Sequence, residues 1–197
     1  MPQLALPDFP WDKLAPYAKV ARAHPGGIVD LSVGTPDDEV PPIVRAALEG
    51  PAAHEPGYPQ TWGTPALREA VVEAMRRRYA VRNLNPDGVL PTIGSKELVA
   101  WLPTLLGIGV DGLVMLPELA YPSYEVGARL AGARFARSDS TLSVGPGAVR
   151  LVWLNSPSNP TGRVLPVEHL RKVVDWARER GAVVASDECY LSLCDPD

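Results

Sequence analysis

The chain has 197 residues, 46% hydrophobic and 21% charged, with a net charge of −4 and a pI of about 5.4. That is ordinary globular usage, with length for one sizeable core. It excludes a general polyanion binder, because no basic excess exists to displace counterions from phosphates. Two cysteines, Cys189 and Cys194, come without a Cys/His cluster, so neither a structural zinc site nor a disulfide framework is expected, and a reducing cytoplasm is the simplest setting.

No basic-then-apolar leader opens the chain, so no signal peptide is expected. The longest uncharged stretch, "LVAWLPTLLGIGV" at 98–110, is too short for a bilayer, and no membrane association is expected. Prolines cluster in "MPQLALPDFPW" and "GTPDDEVPP", which read as irregular because proline fixes φ and removes a donor. Residues 1–40 read as an extended arm with a short helix near 13–23 and a short strand in "IVDLSVG" at 28–34. From residue 41 the chain reads as one partial domain, opening with a helix over 41–50.

A second helix is expected at 64–79, capped by Thr64 and started by Pro65, with Leu67, Val71, Ala74 and Met75 forming one apolar stripe. The run Arg76–Arg78 on it reads as a solvated helix face. Beyond it the chain alternates. "GVLPTIG", "DGLVMLPE", "ARFARS", "AVRLVWLNS" and "AVVASDE" are expected strands; "SKELVAWLPTLL", "YPSYEVGARLAG" and "PVEHLRKVVDWARERG" are expected helices. Alternation with continuously apolar strands predicts an α/β domain with a mostly parallel sheet buried on both faces.

Ligands in such sheets bind beyond the carboxyl ends of the strands. The segments there are "GSKE" (94–97), "PELAYPSY" (117–124), "NSPSNPTG" (155–162) and "SDECY" (186–190). "GSKE" opens a helix, whose free N–H groups and dipole suit a phosphate. In "NSPSNPTG" two prolines and a glycine fix a turn, from which Asn159 can donate to an oxygen. Asp187 is a carboxylate delivered by an apolar run, expensive to bury unless paired with a cation such as a protonated ring nitrogen. Tyr190 can hydrogen-bond a ring oxygen from the same loop. The bland alternatives are a capped helix, a self-bonded turn and an acid at a sheet edge. Pyridoxal 5′-phosphate (PLP) satisfies all three segments together.

Two other motifs fail in context. "GIGVDG" at 107–112 matches G-x-G-x-x-G, but a helix precedes it and a strand follows, the reverse of a dinucleotide site, so it reads as a helix-ending turn. "AVVASDE" resembles the metal-binding strand of P-loop ATPases, but no G-x-x-x-x-G-K-[ST] accompanies it, and no metal site is expected.

"DLSVGTP", "YPQTWGTPALREAV", "TIGSKE", "PELAYPSYEVG", "NSPSNPTG" and "SDECY" occur in the order found in class I/II aminotransferases of PLP fold type I, and the chain resembles that family over essentially its whole length. Within it, the wording is most similar to the branch acting on N-succinyl-L,L-diaminopimelate in lysine biosynthesis. The resemblance implies a three-layer αβα large domain, incomplete here, with the C-terminal small domain absent. It implies transfer of an amino group between an amino acid and 2-oxoglutarate. Backbone N–H groups of Ser95 and Lys96 would hold the phosphate, Tyr121 would stack on the ring, and Asn159 and Tyr190 would bond its phenolic oxygen. Asp187 would keep the ring nitrogen protonated. Gly34 would lie near the substrate carboxylate, and Tyr58 would reach the phosphate of a neighbouring subunit in a homodimer, on which the N-terminal arm would pack.

Aminotransfer also needs a Schiff-base lysine. The resemblance places it in a Ser-x-x-Lys segment, expected beyond Asp197, and none of Lys13, Lys19, Lys96 and Lys172 matches. The chain as given is therefore expected to be inactive by itself, with an open sheet and exposed apolar edges. A non-catalytic PLP-binding module and an inert fragment are the alternative readings.

Overall fold

The computed structural model describes residues 6–54, 57–144 and 147–193. Two compact units divide the chain, one spanning Asp8–Pro91 and the other running from Thr92 onward.

The first unit is helical. A 3₁₀ turn at Pro10–Leu14 leads into α1 (Ala15–Arg22), followed by α2 (Pro42–Leu48) and α3 (Pro65–Tyr79). Local chemistry explains α3: Thr64 Oγ1 accepts from Leu67 N at 3.2 Å, and Pro65 takes a first-turn position where its missing N–H costs nothing. Arg76, Arg77 and Arg78 are all exposed. In the stripe, Leu67 is exposed and Val71, Ala74 and Met75 are partly buried.

The second unit carries the sheet. It runs α4 (Ser95–Leu105), β1 (Leu113–Leu116), α5 (Pro122–Leu130), β2 (Arg134–Arg137), β3 (Val149–Asn155), α6 (Val167–Arg180) and β4 (Val183–Asp187). The strands are all parallel, in the order β2-β1-β3-β4. Two-residue periodicity sorts their side chains to two faces. Val114, Leu116, Leu151 and Trp153 pack with Val99 of α4 and with Tyr124 and Ala128 of α5. Met115, Val152 and Leu154 pack with Val173 of α6. The result is the expected three-layer αβα arrangement. Gly127 lets α4 and α5 touch, since a Cβ there would stand 2.9 Å from the carbonyl oxygens of Val99 and Ala100. "GIGVDG" is the turn between α4 and β1, with Gly107 at φ 66°.

Three expectations need correction. "IVDLSVG" and "GVLPTIG" form no strand. A strand exists only as part of a ladder, and neither run meets a partner among the described residues; Pro91 also removes a donor from the second. The "AVVASDE" strand exists as β4 but is not buried: it pairs with β3 alone, at the sheet edge, and is half-exposed.

Candidate cofactor site

The parallel register pairs Asn155 with Asp187. Both lie two residues beyond side chains of the α4/α5 face, Trp153 and Ala185, so both point to that face at the carboxyl ends of their strands.

Asn155 is buried and fully engaged. Its Nδ2 donates to the carbonyls of Pro157 at 3.1 Å and Asp187 at 3.0 Å, and its Oδ1 accepts from Asn159 N at 2.6 Å. One amide thus ties the "NSPSNPTG" loop to the end of β4. The loop closes on itself through Gly162 N to Ser158 O at 2.7 Å and carries cis bonds before Pro157 and Pro160. Held this way, Asn159 Nδ2 donates to the Tyr190 hydroxyl at 3.2 Å. The side chains of Asn159 and Tyr190 therefore converge on one point, as two groups recognising one oxygen must.

The Asp187 carboxylate takes uncharged donors, among them the Tyr124 hydroxyl on Oδ2 at 2.7 Å and Cys189 N on Oδ1 at 3.2 Å. Among the described residues it has no ion-pair partner. Burial, and then the bond to Asp187, push the Tyr124 phenol well above the ordinary tyrosine range. The Cys189 thiol is pushed up to about 11, by desolvation first and then by its bond to Asp187 and the charge there, so it stays protonated at neutral pH. Tyr124 stacks on Trp153, centroids 4.8 Å apart, and meets Tyr121 edge-on at 6.2 Å.

α4 begins at Ser95 behind Gly94, whose φ of 83° suits glycine and which has no side chain to cap the helix. Capping of the first turn falls to some other acceptor. Ser95, Lys96, Tyr121, Asn159, Asp187 and Tyr190, all chosen from sequence, line one cavity of about 140 Å³. Lys96 contributes to its wall. Gly34 and Tyr58 belong to the other unit, are not among the lining residues, and are both exposed. Tyr124, Asn155, Val99 and Cys189 complete the wall without having been singled out. A larger hollow of about 330 Å³ on the α6 side holds none of the residues selected from sequence.

The donor set fits PLP. A helix start offers N–H groups for a phosphate, a carboxylate without a cation offers a partner for a protonated ring nitrogen, and a convergent amide–phenol pair offers a place for a ring oxygen.

The profile of the aminotransferase class I and II family matches residues 26–197. The chain belongs to this family. It is 61% identical over 189 residues to a probable aminotransferase of Mycobacterium tuberculosis, covering 96% of this chain and 45% of that protein. It is 55% identical to the 4-dedimethylamino-4-oxo-anhydrotetracycline transaminase of Streptomyces rimosus, covering 94% and 51%. Among solved structures, N-succinyldiaminopimelate aminotransferase from M. tuberculosis aligns with a TM-score of 0.75 at 29% identity, covering 90% of this chain and 48% of that one. The chain thus spans about half the length of the relatives it matches. Class I and II aminotransferases are PLP-dependent enzymes, in agreement with the donor set of the cavity. Among the described residues no helix is long and apolar enough to cross a membrane.

Two of the unselected residues carried a signal. Asn155 stands at the last position of an apolar strand, where the site belongs. Tyr124 lies three residues after Tyr121, on the same side of a helix start.

Proposed function

We propose that the cavity holds PLP for transfer of an amino group between an amino acid and a 2-oxo acid. What supports the reading is the convergence of six residues, chosen for the phosphate, the ring face, the phenolic oxygen and the ring nitrogen, on one cavity built by the Asn155–Asp187 register. The α4 N-terminus, through the N–H groups of Ser95 and Lys96, binds the phosphate. Tyr121 lies against the ring, and Asn159 and Tyr190 hydrogen-bond its phenolic oxygen. Asp187 holds a proton on the ring nitrogen. Bound PLP supplies an electron sink for the bond broken at the substrate Cα. Moving a proton there is the work of a lysine, and we assign that role to none of the four in this sequence.

As amino donor we propose N-succinyl-L,L-diaminopimelate, with 2-oxoglutarate as acceptor, in the lysine pathway of the cytoplasm. The fold-level match to an N-succinyldiaminopimelate aminotransferase supports this reading. A second substrate reading, a polycyclic ketone, is favoured by the 55% identity to the tetracycline-precursor transaminase. Two further roles are part of the proposal: Gly34 lies near the substrate carboxylate, and in a homodimer Tyr58, fully exposed in this chain, reaches the phosphate of a neighbouring subunit.

Titration with pyridoxamine 5′-phosphate, which lacks the aldehyde and so cannot label stray lysines, tests the cavity. Asp187→Ala and Asn159→Ala are each expected to weaken binding about tenfold or more; unchanged affinity in both removes the reading. Assays with N-succinyl-L,L-diaminopimelate and with 4-dedimethylamino-4-oxo-anhydrotetracycline, made on a protein that carries the Schiff-base lysine, separate the two substrates, and cofactor binding there without turnover of either supports the non-catalytic module.

A further inference from the structure

A parallel sheet is normally covered on both faces, and here the α6 face is covered incompletely. The strand order β2-β1-β3-β4 makes the β2–β3 connection pass over β1. It crosses the sheet in the same direction as the β3–β4 connection, so the right-handed rule puts it on the face of α6. Such a crossover is usually an α-helix. This one spans residues 138–148 and holds no α-helix among its described residues, only the 3₁₀ turn Thr141–Val144. The hollow of about 330 Å³ lies on this face, with Ser138 and Asp139 of the connection in its wall. Its volume is that of a small-molecule site.

The floor of the hollow is apolar: Met115, Val152, Leu154 and Val173 line it and pack together beneath α6. Arg163 and His169 line it too, and among the described residues neither side chain has a hydrogen-bond or ion-pair partner. The backbone holds Arg163 in place. Its carbonyl accepts from Ser158 N at 3.0 Å, and its own N–H donates to Thr161 Oγ1 at 3.3 Å. His169 lies in the first turn of α6, which starts behind Pro166 with no side-chain cap, so that turn offers N–H groups as well. The one acid in the wall, Asp139, is already engaged: its Oδ1 accepts from Glu118 N at 3.0 Å. An unpaired guanidinium and an imidazole beside an apolar floor match a ligand that is apolar in its body and anionic at one end.

We propose that this hollow is a second binding site, which takes a small carboxylate with a compact apolar body, the body on Met115, Val152 and Leu154 and the carboxylate on Arg163 and His169. Asn155 alone lines both this hollow and the cofactor cavity, so the two sites are separate. The inference therefore stands independently of the cofactor reading.

The probe is naphthalene-1-acetate, with naphthalene-1-acetamide as its uncharged counterpart of nearly the same shape. Binding to the full chain is measured by equilibrium dialysis and located by amide chemical shifts in NMR spectra. The acid is expected to bind as a single equivalent, about tenfold or more tightly than the amide. Its shifts are expected at Ser138, Thr161, Arg163 and the first turn of α6. Arg163→Gln, at an exposed loop position, is expected to keep Tm, weaken the acid about tenfold and leave the amide unchanged. His169→Phe, which keeps a ring and removes its N–H, is expected to weaken the acid by about threefold. Equal binding of acid and amide overturns the proposal, since that is how a gap meant for a further stretch of polypeptide would behave. So does acid binding weaker than about 1 mM, or an acid preference that survives Arg163→Gln. Shifts at Ser95, Lys96 and Tyr190 instead would place the probe in the cofactor cavity, which is equally fatal. The comparison of acid with amide needs no variant, so it decides the matter even where a substitution disturbs folding.

Discussion

α3 and α6 are near twins in sequence chemistry. They have fifteen and fourteen residues, each has a proline at its start and arginines in its last turn, and each ends in a left-handed residue, Ala80 at φ 52° and Gly181 at φ 64°. Yet α6 buries Val173 and Ala177 against the sheet, and α3 buries nothing. The contrast extends to the units they belong to. Every buried hydrophobic side chain identified in the structure lies beyond Thr92, whereas among the described residues of Asp8–Pro91 only Gly63 is buried. Caps and prolines decide where a helix begins and ends; an apolar sheet face decides whether it is anchored.

The largest consequence is dynamic. Helices without a buried face open locally, while strands inside a core exchange their amides only by global unfolding. Amides of β1 and β3 are therefore expected to exchange at least about a hundredfold more slowly than those of α3 in native-state hydrogen exchange. Equal protection would mean that α3 is anchored by contacts stronger than its exposure implies.

Side-chain truncation sharpens the same difference. Leu116 is fully buried between β1 and the α4/α5 layer, and Leu116→Ala is expected to cost about 2–5 kcal/mol in denaturant unfolding. Ile43 on α2 is 79% exposed, and Ile43→Ala is expected to stay within about 0.5 kcal/mol. Comparable losses at the two sites would erase the distinction between the units. Next in size comes Gly127→Ala. The added methyl would meet backbone of α4, not a side chain that can swing away, so α4 and α5 must separate. About 1–3 kcal/mol is expected, with loosening transmitted to the α4 N-terminus and visible as weaker pyridoxamine 5′-phosphate binding.

The same division explains what the sequence revealed. Elements with local signals are where they were expected: Thr64 and Pro65 start α3, Gly181 ends α6, Gly107 turns the chain after α4. The apolar runs of β1 and β3 are strands because helices cover both faces. "IVDLSVG" and "GVLPTIG" have similar composition and are not strands, because composition cannot supply a pairing partner. Within the site, Asn159, Asp187 and Tyr190 follow strand ends and could be picked out one by one. Their joint geometry depends on Asn155 and Tyr124, whose roles arise from a β-ladder register and from a contact 63 residues apart in sequence. No short motif encodes either.

Electrostatics gives the smallest and most pH-sensitive form of the comparison. On α5, Glu125 binds Arg129 and also Arg137 of β2, each at 2.7 Å, with its own side chain only 16% exposed. In the other unit Lys13 and Asp8 approach to 3.7 Å with both side chains largely in solvent. Burial acts to raise the Glu125 carboxyl, but hydrogen bonds and charge from the two arginines outweigh it, and the group is held below the ordinary glutamate range. A depressed carboxyl contributes stability above its unfolded value, about 4.3, and loses it as pH falls through the lower folded value. Glu125→Gln is therefore expected to cost about 0.5–1 kcal/mol at neutral pH, kept small because both arginines are more than a third exposed. The deficit relative to wild type should close in acid, where the wild-type carboxyl is protonated as well. Asp8→Asn should show no resolvable cost at either pH. Urea unfolding of the three proteins at neutral and acid pH checks this. A Glu125→Gln deficit unchanged in acid would show that the side chain acts by packing and not by charge, leaving the two units alike in their electrostatics and different only in burial.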